Sequence, residues 1–515
     1  MEHTSLSEHF SAAFLRHSHK PAITFLRQGR PVTRLSFLEL ESYANRMANT
    51  FQSMGVAKGD RVILFMQKSL LGVTAHLALL KLGAVSVPLN PGFTQSEMAY
   101  LLKDAQPKLI VLNADKADFI SAIDPRLTQL NLDSQTPFHD QEILQNASDK
   151  FVSTDIQESD PGVMIYTSGT TGNPKGVILT QKNLVADALN IIEFWQISES
   201  DILCHALPLF HVHGLCFALH TALMAGSHVR LLNMFAPKDV FDVLRQRSGG
   251  HVCTVFMAVP AMYAKLLQYI GERELDFGHL RLITSGSAPL LPKDFDRIRQ
   301  VFGQEPVERE GMSETGMNFS NPLHGKRKPG SIGLPMPGVN VRMVDTETGI
   351  DISPGQTGEI WLQSPAITPG YWRKPEETAR AFTDGWFKTG DLGHVDSDGY
   401  YYLTDRLKHI IISGGENIFP KEVEAVINQI QGVRESAAVG IPDEKWGERL
   451  VAAVVSKPGV SMKSDQIESH CKAHLHSWKC PKAVIFVSEL PRNTMGKVLI
   501  EEVRNLFPKK VTKSQ

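Results

Sequence analysis

Short apolar runs alternate with amphipathic helical runs through most of this chain, and that rhythm limits its fold more than any other feature. Over residues 36–54 apolar side chains recur at helical spacing (Phe37, Leu40, Tyr43, Ala44, Met47, Ala48, Phe51), with Gly55 as a stop. Residues 61–65 then read as a buried strand, 69–82 as a helix ended by Gly83, 84–88 as a strand, the stretch around 96–105 as a helix and 109–112 as a strand. A second round places helices at 184–195, 237–246 and 260–269 and strands at 202–207, 253–257 and 280–284. Strands and helices at this spacing imply parallel βαβ units, a doubly wound α/β fold with its sheets covered on both faces. From Gly330 to about Asp405 the helical period fades into short alternating runs rich in Gly and Pro, expected to form antiparallel strands and a small β-barrel. Beyond that lies a compact α+β piece of about a hundred residues, the size of a small domain.

One stretch stands out for chemistry: Tyr166-Thr167-Ser168-Gly169-Thr170-Thr171-Gly172-Asn173-Pro174-Lys175-Gly176. Its glycines let the backbone turn its N–H groups toward an anion, its hydroxyls add donors, and Lys175 adds a point charge. A Walker A loop needs Gly-Lys followed by Ser or Thr and then a helix. Here Lys175 lies between Pro174 and Gly176, with apolar runs on both sides. Two strands flanking a phosphate-holding loop are therefore expected, the alternative being an ordinary surface turn.

Composition narrows the class. With 515 residues, 21% charged and 42% hydrophobic, the chain is long enough for two or more domains with large cores. A net charge of −2 provides no global field to recruit nucleic acid or an anionic membrane. The five cysteines (Cys204, Cys216, Cys253, Cys471, Cys480) are scattered and form no CxxC pair, which argues against a disulfide framework or a zinc site and fits a reducing compartment. The opening residues lack the basic-then-apolar order of a signal peptide, and the apolar stretch 71–89 is broken by His76, Lys81, Gly83 and Pro88. A cytoplasmic protein without an integral membrane segment is expected.

Further motifs follow in order. Leu207-Pro208-Leu209-Phe210-His211-Val212-His213-Gly214 sets two histidines at a strand exit, where α/β sheets place ligands; such histidines can equally be packing residues. Ser285-Gly286-Ser287-Ala288-Pro289-Leu290 is a tight turn at the same sheet edge. In Glu310-Gly311-Met312-Ser313-Glu314 a hydroxyl and a carboxylate stand side by side, suited to a phosphate and to a divalent cation that takes one or two protein carboxylates. Thr389-Gly390-Asp391 offers one carboxylate between glycines, suited to a ribose diol, and Gly496-Lys497 presents a lysine on a Gly/Pro loop.

With these motifs in one order, together with Asp405-Arg406-Leu407-Lys408 and Gly414-Gly415-Glu416-Asn417, the chain resembles the adenylate-forming superfamily of acyl-CoA synthetases and adenylation domains over essentially its whole length. The resemblance implies a large N-terminal domain, 1–405, of two doubly wound sheets and a barrel, hinged to a small mobile domain, 406–515. It implies a two-step reaction: a carboxylate attacks the α-phosphate of ATP, giving an acyl adenylate and pyrophosphate, and a thiol, usually that of coenzyme A, displaces AMP. By motif, Thr167 to Lys175 would hold the β- and γ-phosphates, and Ser313 the α-phosphate. Glu314 would ligate Mg2+, and Asp391 and Arg406 would hold the ribose. Ser287-Ala288-Pro289 and Glu310-Gly311-Met312 would line the nucleotide. Lys497 would bridge the substrate carboxylate and the α-phosphate, His211 would flank the acyl site, Lys408 would sit at the hinge, and the Gly414-Gly415 loop would reach the thiol.

Within the superfamily the strings 205–214, 285–290, 308–322 and 491–497 look most like malonyl-CoA synthetases and short-chain relatives. Those enzymes hold a distal carboxylate with arginines; Arg309 matches one, whereas Lys265 stands where the other is arginine. Glu310 stands where the family has a tyrosine stacked on adenine. Three readings follow: a ligase joining a small-molecule carboxylic acid to CoA, an enzyme loading a carrier protein or amine instead, and a nucleotide-binding homologue without catalysis.

Overall fold

A computed structural model describes residues 5–133, 137–151, 154–167, 173–246, 252–414, 416–443, 446–493 and 496–507. It divides into two compact units, one of residues 1–340 with 362–387 and one of 341–361 with 388–515.

The first unit is built on two sheets. In the six-stranded sheet the order is Gln129–Leu132, Leu109–Asn113, Arg61–Phe65, Val85–Pro88, Pro161–Thr167, Lys175–Thr180. Its neighbours run parallel except the last pair, an antiparallel hairpin. The nine-stranded sheet runs Leu334–Pro335, Gly316–Ser320, Val307–Met312, Leu282–Ser285, Val255–Ala258, Ile202–His205, His228–Leu232, Pro21–Arg27, Arg30–Ser36. Its centre is parallel and both edges are antiparallel. Parallel strands need crossover helices, and the helices between these strands supply them.

Helix boundaries follow from local chemistry. Ser36 caps Phe37–Ser53 by accepting the Glu39 amide at 3.2 Å while Glu39 takes the Ser36 N–H at 2.7 Å, and Thr94 with Glu97 does the same for Gln95–Ala105. Each such cap contributes about 1 kcal/mol. Leu70–Leu82 is apolar all round and buried, and it ends at Gly83 in the left-handed region (φ 67°) that favours glycine. The expected helices thus appear within a few residues of their sequence bounds.

The N-terminal helix Leu6–Arg16 and hairpin Pro21–Arg27/Arg30–Ser36 went unread, and so did the π-helical stretch His213–His220. The hairpin joins the second sheet by pairing Ile23 with Val229, a partner no local pattern can announce.

Where the helical period had faded, Asn340–Val344, Gly358–Gln363, Trp386–Val395 and Tyr401–Arg406, with the short strand Phe382–Thr383, make a five-stranded sheet. A further sheet is organised by the long antiparallel pair Val433–Asp443 and Gly447–Ser456. The period of two along that pair supplies two cores. Ala438, Leu450, Ala452 and Val454 pack with Val423, Ile427 and Ile467 on one face, and Ala437, Val439, Val451 and Ala453 pack with Val503 and Phe507 on the other.

Candidate active site

The cradle is flanked by strands, as its apolar borders implied: Pro161–Thr167 pairs with Lys175–Thr180, and Thr167 lies directly opposite Lys175. Ser168, Gly169, Thr170, Thr171 and Gly172 lie outside the described residues. The hairpin is tied down on both sides of the loop. Tyr166 donates to Asp104 Oδ2 at 2.7 Å, and Tyr100 donates to the Pro174 carbonyl at 2.9 Å.

Glu314 follows the strand Val307–Met312 and is buried. Its carboxylate accepts the Tyr371 hydroxyl at 3.2 Å, and the Lys175 ammonium lies 5.1 Å from the centre of the same tyrosine ring. The structure therefore brings the cradle lysine and the candidate metal carboxylate to one side chain. Burial first, then the Glu314 charge, raises the Tyr371 pKa, so the phenol keeps its proton and donates. Sequence reasoning missed Tyr371; the signal was the Gly370-Tyr371-Trp372 string, with Gly370 at φ 149°. Among the described residues no three His, Cys, Asp or Glu side chains cluster as a metal cage. A single buried carboxylate fits Mg2+, which keeps waters and substrate phosphates as its other ligands.

Ser313 lines a small cavity with Asp187, Val212 and Cys216. Asp187, from helix Gln181–Trp195, accepts the Met317 N–H at 2.8 Å, and burial pushes its carboxyl up to about 7 against the pull of that N–H and of Arg309. It too was missed, because an acidic residue inside an amphipathic helix carries no spacing signal.

Arg309 is the most telling residue of the first unit. It is 3% exposed, and among the described residues its Nε, Nη1 and Nη2 have no hydrogen-bond partner. Its guanidinium lies 5.2 Å from the Phe217 ring centre, and burial draws its pKa down to about 10 while Glu310 and Asp187 hold it up. Gly286 is required beside it, since a Cβ there would come within 2.6 Å of Arg309 Nε. Next to that turn Ser287 takes φ 68° and its hydroxyl lies 3.3 Å from His213 Nδ1. Ala288 is half-buried and Pro289 exposed.

His211 is neutral at physiological pH, burial holding it at about 4, and among the described residues its buried Nε2 has no partner. The loop carrying it is anchored at the strand exit by Lys68. That ammonium donates to the carbonyls of His205 (3.1 Å) and Leu207 (2.8 Å) and lies 3.3 Å from His205 Nδ1, while His205 Nε2 donates to the Gly214 carbonyl at 2.8 Å.

Glu310 lies opposite Phe319, and its carboxylate accepts from Asn318 Nδ2 at 3.0 Å. Gly311 and Met312 complete the strand, and a Cβ on Gly311 would meet the Gly316 carbonyl at 2.7 Å. Lys265 is exposed on helix Pro260–Ile270, whose Met262, Tyr263, Leu266 and Leu267 face inward. Among the described residues no hydrogen bond joins Lys265 to Arg309.

In the second unit Asp391 and Arg406 lie opposite each other in paired strands, with Arg406 Nε 2.6 Å from Asp391 Oδ1 and Nη2 3.3 Å from Oδ2. Gly390, at φ 69°, donates to Glu359 Oε1 at 2.9 Å, and the Asp391 N–H meets Thr389 Oγ1 at 3.0 Å. Lys408 is exposed in the short 3-10 turn Leu407–His409. His409 is drawn down to about 3 by burial and by the charges of Lys408, Arg406, Lys497 and Lys421, so Lys497 belongs to this ring of cations. The Lys497 loop is closed by Asn493, whose side chain accepts the Lys497 N–H at 2.9 Å. Gly414, at φ 64°, donates to the Trp446 carbonyl at 2.8 Å; Gly415 lies outside the described residues.

Comparisons with known proteins agree with this geometry. The AMP-binding enzyme family matches residues 10–372, and its C-terminal domain matches 422–497. The long-chain-fatty-acid–CoA ligase of Bacillus subtilis (strain 168) is 31% identical over 93% of this chain and 90% of its own. The mitochondrial malonate–CoA ligase ACSF3 of Mus musculus is 33% identical over 88% and 83%. The ATP-bound crystal structure of MatB from Rhodopseudomonas palustris superposes with a TM-score of 0.90 at 37% identity, covering 97% of this chain and 98% of that one. The α/β fold with large and small domains is shared with that structure. Taken with the buried carboxylate, the cradle lysine and the carboxylate–guanidinium pair, these matches place the chain among the AMP-binding enzymes, as an ATP-dependent, AMP-forming acyl-CoA ligase.

Proposed function

We propose that the acid this ligase activates is short and carries a second anionic group, a small dicarboxylate such as malonate. The observation that supports this most is Arg309. A cation buried without a partner is costly, and a protein that keeps one has a use for an anion beside it. The neutral, half-buried His211 and the tight surroundings of Ser313 and Val212 favour a short acyl chain over a long one. The relatives named above differ in their acids, so the choice falls to the pocket itself.

In the first step the acid's reacting carboxylate must approach a polyphosphate of like charge. Lys175 and the cradle hold the β- and γ-phosphates, Ser313 bonds the α-phosphate, Asp391 and Arg406 take the ribose hydroxyls, and Lys497 bridges the two reacting groups. Mg2+, held by Glu314, would neutralise phosphate charge when bound. In the second step the CoA thiol displaces AMP, with Gly414-Gly415 at the thiol. The domain border is placed at 405/406, with Lys408 at the hinge, so that Lys497 withdraws before the thiol arrives. The five cysteines are free and buried, in keeping with a cytoplasmic location, and among the described residues no helix is long and apolar enough to cross a membrane.

ATP–pyrophosphate exchange across a panel of acids, followed by CoA-dependent AMP formation, tests the assignment. Malonate or a close dicarboxylate should lead the panel by kcat/KM. A lead for long uncharged acids would overturn the substrate reading, and turnover with a carrier protein in place of CoA would overturn the acceptor.

A further inference from the structure

We propose that Tyr371 is a positioning residue of the triphosphate site, aiming the Glu314 carboxylate with its hydroxyl and holding the Lys175 ammonium on its ring face. The proposal rests on the reading of Lys175 and Glu314 given above. Tyr371 is a side chain that both groups touch, through a 3.2 Å hydrogen bond to Glu314 Oε1 and a 5.1 Å approach of Lys175 Nζ to the ring centre.

The two interactions need different parts of one residue. A phenol ring presents a negative face to a cation, and its hydroxyl donates to an anion. Phenylalanine supplies only the first, and an aliphatic side chain supplies neither. Left without such a spacer, a cation and a carboxylate in a half-buried cleft attract each other into a direct pair. That pair would have to break before a nucleotide could take the lysine and a metal ion the carboxylate. Tyr371 gives each group a partner it can leave or keep, so the site stays open.

Its own position is fixed from both sides. Tyr371 bridges to Val177 in the strand that begins at Lys175, and the next residue donates from Trp372 N to the Gly176 carbonyl at 2.7 Å. Toward Glu314, Thr368 N donates to the Glu314 carbonyl at 2.8 Å, and Thr368 Oγ1 donates to the Gly370 carbonyl at 2.9 Å and to that of Ile178. Tyr371 N donates to Thr378 Oγ1 at 3.0 Å, and Gly370 lies so close to Thr378 that a Cβ would come within 2.4 Å. The strap 368–372 is thus bonded to the lysine strand and to the Glu314 turn at once, and the tyrosine cannot shift without moving one of them.

The test is equilibrium binding of ATP to the full chain without acid, by calorimetry, once with Mg2+ and once with EDTA. Tyr371→Phe should cut the gain in affinity that Mg2+ confers by about tenfold, the loss expected for one hydrogen bond to a charged group, while the EDTA value stays within about twofold. Tyr371→Leu should in addition weaken the EDTA value by about two- to fivefold, as the ring contact is lost. Glu314→Gln and the double variant Glu314→Gln/Tyr371→Phe should have the same Mg2+ gain, because the hydroxyl acts through the carboxylate. An undiminished Mg2+ gain in Tyr371→Phe, or additive losses in the double variant, would overturn the proposal alone. Wild-type protein that binds ATP with no Mg2+ gain at all would overturn the reading of Glu314 as well.

Discussion

Arg309 and Arg406 are both guanidiniums on strands, and the chain treats them in opposite ways. Arg406 is about a third exposed and is held to Asp391 by two contacts, 2.6 and 3.3 Å. Arg309 is 3% exposed, and among the described residues none of its three nitrogens has a hydrogen-bond partner. A carboxylate already neutralised by its neighbour is suited to neutral hydroxyls, which it can accept without a change of charge. A buried cation left without hydrogen-bonded partners destabilises the empty protein and is relieved by an anion that bonds it directly. Under the proposed function the contrast divides the reactants between the two sites, a sugar in one case and a charged acid terminus in the other.

The comparison can be broken or sharpened experimentally. The largest effect is expected at the third cation, Lys497, which the proposed function sets at the reacting groups. Lys497→Ala should lower adenylation by roughly 10²–10³-fold, yet leave thioester formation from a supplied acyl adenylate intact. Stopped-flow measurement of the two half-reactions checks it, and equal loss in both would count against two working positions of the small domain.

Removing the pairing at the second site comes next. Asp391→Ala frees Arg406 and removes an acceptor, and should raise the KM for ATP about tenfold, one to two hydrogen bonds to a charged group, with kcat for the second step little changed.

A smaller effect separates the two arginines by pH. The Asp187 carboxyl, pushed up to about 7 by burial, acts on Arg309 and Cys216. Below about 7 Asp187 is neutral and no longer repels an incoming carboxylate; above 7 it is charged and competes for Arg309. The KM for the dicarboxylate should therefore rise severalfold from pH 6.5 to 8, and Asp187→Asn should flatten that rise.

The smallest change is expected at Glu310. Its carboxylate already accepts from Asn318, so Glu310→Gln should move the KM for ATP by less than about threefold.

What the sequence made legible follows from the range of each signal. Helix ends with a Ser or Thr cap and a Glu three residues on, as at Ser36 and Thr94, are written locally and were found. The hairpin around the cradle was legible because apolar runs bounded it at both ends. Sheet membership was not, because Pro21–Arg27 finds its neighbour at His228–Leu232 through packing and not through any spacing. Tyr371 and Asp187 escaped for the same reason: each matters through a partner far along the chain, Glu314 in one case and Met317 in the other. Glu310 stands where the resemblance implies a tyrosine, and its Asn318 partner on the neighbouring strand is likewise set by pairing that no spacing announces.

The most direct measurement is the ratio of kcat/KM for malonate to that for butyrate, an acid of similar size without the second charge, in wild type and in Arg309→Met. Loss of a buried charged partner predicts that the ratio falls by about 100-fold or more, chiefly through malonate, while butyrate is handled as well or better. An unchanged ratio, with both acids losing equally, would show that Arg309 shapes the pocket without reading the acid's second charge.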